Sequence, residues 1–255
     1  SIRFYNRRDA SDPESGRPYF SPNLCLFPCS GWKKLTIDLW IIALVTIAVY
    51  IVYGVFGSRI MSFCKNSDIS VWPRLLMAAA LEFGIAGLGI TIVGLMRKES
   101  FASFGLRWEN AIKAVLWTIV FFLPYILFIF LSGQFEGYEP LSIMVTPDLH
   151  KAGIVATIIG TLVIAVVWGF FEGFNYVVIC EKINRRFPVK TKFFDWGALV
   201  VSIMGILFHP MSFSIQGIIE IVTTFIAIYG MLQVRKVYKN AWGCVFAFLF
   251  IWNAL

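Results

Sequence analysis

The chain has 255 residues, of which 58% are hydrophobic and only 15% are charged, and its mean hydropathy is +0.76. Soluble domains are about 45–50% apolar and about 25% charged, so this composition excludes a soluble globular protein, a disordered chain and a disulfide-stapled secreted domain. It is typical of a polytopic membrane protein that lives in the lipid bilayer. The net charge of +7 reflects basic residues in alternate loops, so it does not indicate a nucleic-acid-binding protein.

Seven apolar runs along the chain are predicted membrane helices. A helix needs about 20 apolar residues to cross the hydrocarbon layer, and each run is long enough or nearly so. We therefore expect an all-α, polytopic transmembrane helix bundle of about seven spans, with residues 1–34 as a polar N-terminal segment and residues 35–255 as the helical domain. The runs are Leu35–Phe56, Leu75–Met96, Ala114–Leu131, Gly153–Cys180, Trp196–His209, Ile215–Val234 and Ala241–Leu255.

Lysine and arginine are distributed unevenly between the two sides of this predicted bundle. The N-terminal segment and the second, fourth and sixth loops hold 18 of them, whereas the loops on the opposite side hold four. Cytoplasmic loops of membrane proteins are enriched in these residues. The distribution therefore predicts an N-terminus in the cytoplasm.

Polar residues inside the apolar runs are the candidate functional groups, because an ionisable group in hydrocarbon is costly unless it is paired. We interpret Glu82 and Glu220 as structural residues, whose carboxyl groups either hydrogen-bond to a neighbouring helix or form half of an ion pair. The other polar residues combine more specifically. The full set is Glu82, Glu172, His209, Glu220 and Asn253.

Glu172, His209 and Asn253 are predicted to lie at the same depth in the membrane. Pro188 ends the fourth helix, and Glu172 and His209 are each 14 residues from the turn that follows. At a rise of 1.5 Å per residue, both lie about 21 Å from the turn, and Asn253 lies about 18 Å into the seventh helix. Three polar groups on three helices can therefore meet at one level.

Gly169 and Gly173 flank Glu172 in a Gly-x3-Gly pattern. Small residues at this spacing allow two membrane helices to approach closely. Helix packing alone explains the pattern, and so does a close backbone approach that tightens a site around Glu172. The two interpretations are compatible.

These polar residues suit a simple hydrolase. A glutamate and a histidine that face one water act as general base and orienting partner, and an asparagine amide stabilises an oxyanion. The His-Glu-x2-His motif of zinc peptidases and the Gly-x-Ser-x-Gly motif of serine hydrolases are both missing from the sequence. We expect no metal and no cofactor, because one intramembrane histidine is too few, and the Cys25-x3-Cys29 pair has no histidine nearby.

Several segments resemble the CPBP family, which comprises the CAAX proteases and bacteriocin-processing (Abi) proteins. The family has three membrane motifs, Glu-Glu-x3-Arg, Phe-x3-His and His-x3-Asn/Asp, and this chain matches them at Glu172, His209 and Asn253. The similar segments are VWGFFEGFNYVVI (167–179), ILFH (206–209) and WNAL (252–255), preceded by FGLRW (104–108), within a core of about residues 75–255.

The resemblance implies a metal-independent intramembrane glutamate endopeptidase in a prokaryotic plasma membrane. Glu172 and His209 would activate a water molecule, and Asn253 would hold the oxyanion. The substrate would be a membrane-tethered peptide that enters from the bilayer or from the cytoplasmic side.

The chain departs from the family pattern at several motif positions. The first motif has a single glutamate, Glu172, which matches either the first or the second glutamate of the pattern. The arginine position then holds Val177 or Tyr176, respectively. Gly205 and Leu249 stand where the second and third motifs have phenylalanine and histidine. The alternative hypothesis is therefore a catalytically silent CPBP-like scaffold or regulatory subunit that binds another membrane protein. A third hypothesis is a small transporter or proton-coupled channel that uses the intramembrane carboxyl groups and His209.

Overall fold

The computed structural model describes residues 29–189, 191, 194–207 and 212–255, and all regular structure in these ranges is helical. The predicted all-α class is therefore confirmed. A short 3-10 turn at Phe101–Phe104 precedes the third helix. The helices are α1 (Cys29–Lys65), α2 (Val71–Arg97), α3 (Ala111–Leu131), α4 (Thr146–Lys151), α5 (Ile154–Arg186), α6 (Trp196–Leu207), α7 (Ile215–Tyr238) and α8 (Trp242–Trp252).

Five helices in the described ranges, α1, α2, α3, α5 and α7, are long and apolar enough to cross a membrane. These helices are compatible with an integral membrane protein. The other two apolar helices, α6 and α8, are shorter: the 12 residues of α6 rise about 18 Å, whereas the hydrocarbon layer is about 30 Å thick. They correspond to the predicted runs Trp196–His209 and Ala241–Leu255, so the structure supports five candidate spans and does not confirm seven.

The helix boundaries differ most from the predicted runs at α1, which begins at Cys29 instead of Leu35 and continues to Lys65. Extending an existing helix costs little free energy, because each added residue gains a hydrogen bond. The polar flanks of the run are therefore helical as well. Part of the predicted N-terminal segment belongs to the helical domain, and residues 1–28 lie outside the described ranges. α5 ends at Arg186, two residues before Pro188, in agreement with the prediction.

α5 lies at the centre of the bundle and packs against α1, α6 and α8. Residues 173–180 of its second half are all buried, and Phe174 and Val177 contribute to a core that also contains Ile228 of α7 and Phe248 of α8. α1 and α6 both pack on α5 but scarcely touch each other. This arrangement leaves a groove on α5 between its two neighbours.

A buried ion-pair cluster joins α1 to α5 at the end of the bundle where α1 begins. The Nζ of Lys182 lies 3.0 Å from Asp38 Oδ2 and 2.8 Å from Glu99 Oε2, and the lysine side chain is fully buried. Arg97 adds a second contact to Asp38, at 2.7 Å. In the charge distribution Lys182 counts with the fourth loop; the structure corrects this, because the residue belongs to α5 and forms ion pairs with two carboxylates.

Candidate functional site

The groove on α5 forms a cavity of about 510 Å³ that is bounded by α1, α2, α5 and α6. α1 and α5 run antiparallel along it, because Arg186 donates a hydrogen bond to Thr36 while Lys182 pairs with Asp38. The ion-pair cluster therefore lies next to one end of the cavity. The other end lies deeper in the bundle.

The polar groups of the cavity wall gather at its deep end. Leu39 and Ile183 line the end next to the ion-pair cluster, and Tyr50, Glu82 and Glu172 line the other. Leu39 and Tyr50 are eleven positions apart, which corresponds to about 16 Å along α1. Most of the wall between the two ends is apolar, so the two carboxyl groups lie at the bottom of an apolar groove.

Glu172 is held by Asn253 of the residues that follow α8. The Asn253 Nδ2 donates one hydrogen bond to Glu172 Oε2, at 2.9 Å, and one to the carbonyl oxygen of Trp168, at 3.1 Å. A side-chain amide has two N–H donors, and both are engaged here. In this arrangement Asn253 orients Glu172, and it has no remaining donor for an oxyanion.

The two glycines beside Glu172 allow α8 to approach closely enough for this contact. A methyl group on Gly169 would collide with the Leu249 side chain, and one on Gly173 would lie 2.8 Å from the Cys244 carbonyl oxygen. The Gly-x3-Gly pattern therefore marks a close helix contact, as predicted. The same contact brings Asn253 to Glu172, so packing and site formation depend on the same glycines.

Each of three polar residues adjoins a π-helical segment. Glu82 precedes the segment Phe83–Gly87, Glu172 follows Ala165–Phe171, and Asn253 follows Phe248–Trp252. The middle segment packs against both of the others, with Phe83 and Phe171 in an edge-to-face contact of 4.9 Å between ring centroids. π-Helical turns are rare and occur frequently at functional sites.

Glu82 shares the cavity with Glu172, although the sequence left open whether it is structural. Its carboxyl group has no hydrogen-bond or ion-pair partner in the part of the chain that the structure describes. Gly84 packs against Val49, which places this stretch of α2 level with Tyr50. The Glu82 and Glu172 side chains interact electrostatically.

Two residues make packing contacts at positions where the CPBP resemblance would imply an arginine and a histidine. Tyr176, which stands at the arginine position in one frame, lies over Gly205, where a methyl group would be 3.2 Å from the tyrosine hydroxyl oxygen. Leu249, at the histidine position of the third motif, fills the space beside Gly169. Tyr176 and Leu249 therefore take part in the packing of α5 against α6 and α8.

The other predicted candidates fall elsewhere. His209 lies outside the described residues, as does Cys25. Glu220 is on α7, is half-buried and does not line the cavity. Among the described residues, no group of three or more histidine, cysteine, aspartate or glutamate side chains is arranged to hold a metal ion.

The chain was also compared with known proteins. No family model, no curated protein and no solved structure matches it.

Proposed function

We propose that this chain is a metal-independent intramembrane endopeptidase of the CPBP type, in which Glu172 is the general base. The observation that carries the proposal is the Glu172–Asn253 hydrogen bond at the wall of a cavity within the helix bundle. A carboxylate fixed in an apolar cavity that admits water is a suitable base for hydrolysis. The motif matches at Glu172, His209 and Asn253 support the same assignment.

Glu172 takes a proton from a water molecule while the water oxygen attacks the carbonyl carbon of the scissile peptide bond. Asn253 is a positioning residue in this proposal, because its amide donates to one carboxylate oxygen of Glu172 and the other oxygen then accepts the proton of the water. It thereby replaces the arginine that is missing from the first motif. His209 completes the base in this proposal, as the motif match implies.

The groove suits a membrane-tethered peptide. α1 and α6 scarcely touch each other, and Ile47 and Val200 on their cavity walls are both exposed. An extended chain can therefore reach the cavity from the side of the bundle. We further propose that α6 and α8 complete a bundle of seven membrane segments, with the N-terminus in the cytoplasm of a prokaryotic cell.

The silent-scaffold hypothesis is favoured by a separate observation. Tyr176 packs over Gly205, and Leu249 packs beside Gly169, so these two motif positions lack the arginine and the imidazole of the family pattern. A CPBP-like regulatory subunit would need the fold of the cavity but not its chemistry. The two functions differ in whether the native protein cleaves peptides.

The test is cleavage of a pool of membrane-tethered peptides by the purified protein in liposomes, with a metal chelator present. Glu172→Gln removes the base, and Glu220→Gln is the matched control, since Glu220 is an intrahelical carboxyl group away from the cavity. We expect cleavage by the native protein and by Glu220→Gln, and a loss of about 10²–10⁴ in rate for Glu172→Gln. Folded native protein that cleaves none of the peptides would overturn the proposal and favour the scaffold.

A further inference from the structure

The cavity contains two carboxyl groups from different helices, although the first motif of the sequence supplies only one. Glu82 and Glu172 both line its deep end. Each adjoins a π-helical segment, and the two segments pack against each other. The geometry therefore brings a second carboxyl group to Glu172 from α2, a helix that carries no motif residue.

We propose that Glu82 is a second catalytic residue of this site, the general acid that protonates the leaving amine. The inference rests on the proposed peptidase function, because an acid of this kind has a role only where a peptide bond is cleaved. Two carboxyl groups in one apolar cavity can supply both a base and an acid for hydrolysis, provided that one of them carries a proton.

The hydrogen bonds of the site distinguish the two carboxyl groups. Asn253 donates an N–H to Glu172, which suits a carboxylate, whereas Glu82 receives no such bond in the described part of the chain. We therefore assign the base to Glu172 and the acid, which must carry the proton, to Glu82. Base and acid are different residues before the substrate arrives.

The reaction balances with these two groups. Glu172 accepts a proton from water as the water oxygen bonds to the carbonyl carbon and the carbonyl π electrons move to oxygen. When the oxyanion collapses, the C–N bond breaks and the leaving nitrogen takes the proton of Glu82. The products are a carboxylic acid and an amine, and transfer of the proton from Glu172 to Glu82 restores the starting state.

The acid is tested with two substrates that differ only in the leaving group. One is a membrane-tethered peptide that the native protein cleaves, and the other is the same acyl portion as a nitrophenyl ester, whose phenolate leaves without a proton. We expect Glu82→Gln to lower kcat on the peptide by about 10²-fold or more and kcat on the ester by less than about threefold. Glu172→Gln is expected to lower kcat on both substrates.

Two further variants separate this role from a structural one. Glu82→Asp keeps an ionisable group and should retain part of the peptidase activity, and Glu220→Gln should match the native protein on both substrates. Equal losses for Glu82→Gln on peptide and ester, or native rates on both, would overturn the assignment of Glu82 while leaving Glu172 as the base. Absence of cleavage by the native protein would instead overturn the peptidase function itself.

Discussion

Replacing Gly173 with alanine tests whether the contact between α5 and α8 holds Asn253 against Glu172. The added methyl group would lie 2.8 Å from the Cys244 carbonyl oxygen and 3.1 Å from the Val245 Cα. Both are backbone atoms, so no side chain can rotate away to make room. The two helices must therefore separate.

The size of the effect follows from the distances. Ordinary contacts of a Cβ atom begin at 3.4 Å, so the backbone of α8 must move by about 0.6 Å from α5. Overpacking of this kind costs about 1–3 kcal/mol, and alanine recovers up to about 1 kcal/mol through its greater helix propensity. We expect Gly173→Ala to lower the free energy of unfolding by about 1–2 kcal/mol and, through displacement of Asn253, to lower the cleavage rate about tenfold.

Unfolding of the detergent-solubilised protein by increasing amounts of SDS measures the first effect, and the liposome cleavage assay measures the second. The matched control is Gly94→Ala in α2, because a methyl group there would meet no atom within 4 Å. If Gly173→Ala were as stable and as active as Gly94→Ala, the close packing of α8 on α5 could not be what positions Asn253.

Three other changes give separate tests. Lys182→Met breaks a fully buried ion pair and is expected to destabilise the protein by about 3 kcal/mol. Arg185→Met changes a side chain that is 40% exposed and should destabilise the protein by less than about 1 kcal/mol. Equal losses of stability in the SDS titration would refute this expected difference between the buried and the exposed ion pair. Asn253→Ala should lower kcat and leave KM unchanged, because Asn253 orients Glu172 but does not line the cavity; a change confined to KM would contradict this. A hydrogen bond from Arg74 lowers the pKa of Asp148 from its usual 3.8. The melting temperature of Asp148→Asn should therefore lie below that of the native protein at pH 7, and this difference should disappear as the pH falls below 4. A difference in melting temperature that persists in acid would refute the role of this ion pair.

The sequence predicted that Glu172 and Asn253 lie at one depth in the membrane, and the structure joins the two side chains by a hydrogen bond. Their depths depend only on residue counts and on the rise of a regular helix, and Pro188 fixed the end of α5 from which the first depth is counted. The spacing of Gly169 and Gly173 also indicated a face of α5 that another helix approaches closely. These inferences use local regularity, which the described chain largely obeys.

The position of Glu82 was beyond the same reasoning. A constant helical period fails across a π-helical segment, so the direction of a side chain before Phe83–Gly87 does not follow from the residues after it. Lys182 was counted as a loop charge because its burial depends on Asp38, which lies 144 positions away in the chain. Neither the pairing of distant residues nor the interruption of a helix leaves a periodic signal.

The π-helical segments also make the effect of a change in chain length depend on where in the helix it occurs. A π-helical turn amounts to one residue inserted into an α-helix. Deleting one residue from Phe83–Gly87 would restore regular hydrogen bonds in α2 and leave Glu82 in nearly the same direction relative to the helix that follows. Deleting one residue from Leu88–Arg97 would instead rotate Glu82 by about 100° relative to the residues after the deletion. A single-codon deletion there can therefore leave the hydropathy and the length of α2 almost unchanged while it turns a carboxyl group out of the cavity.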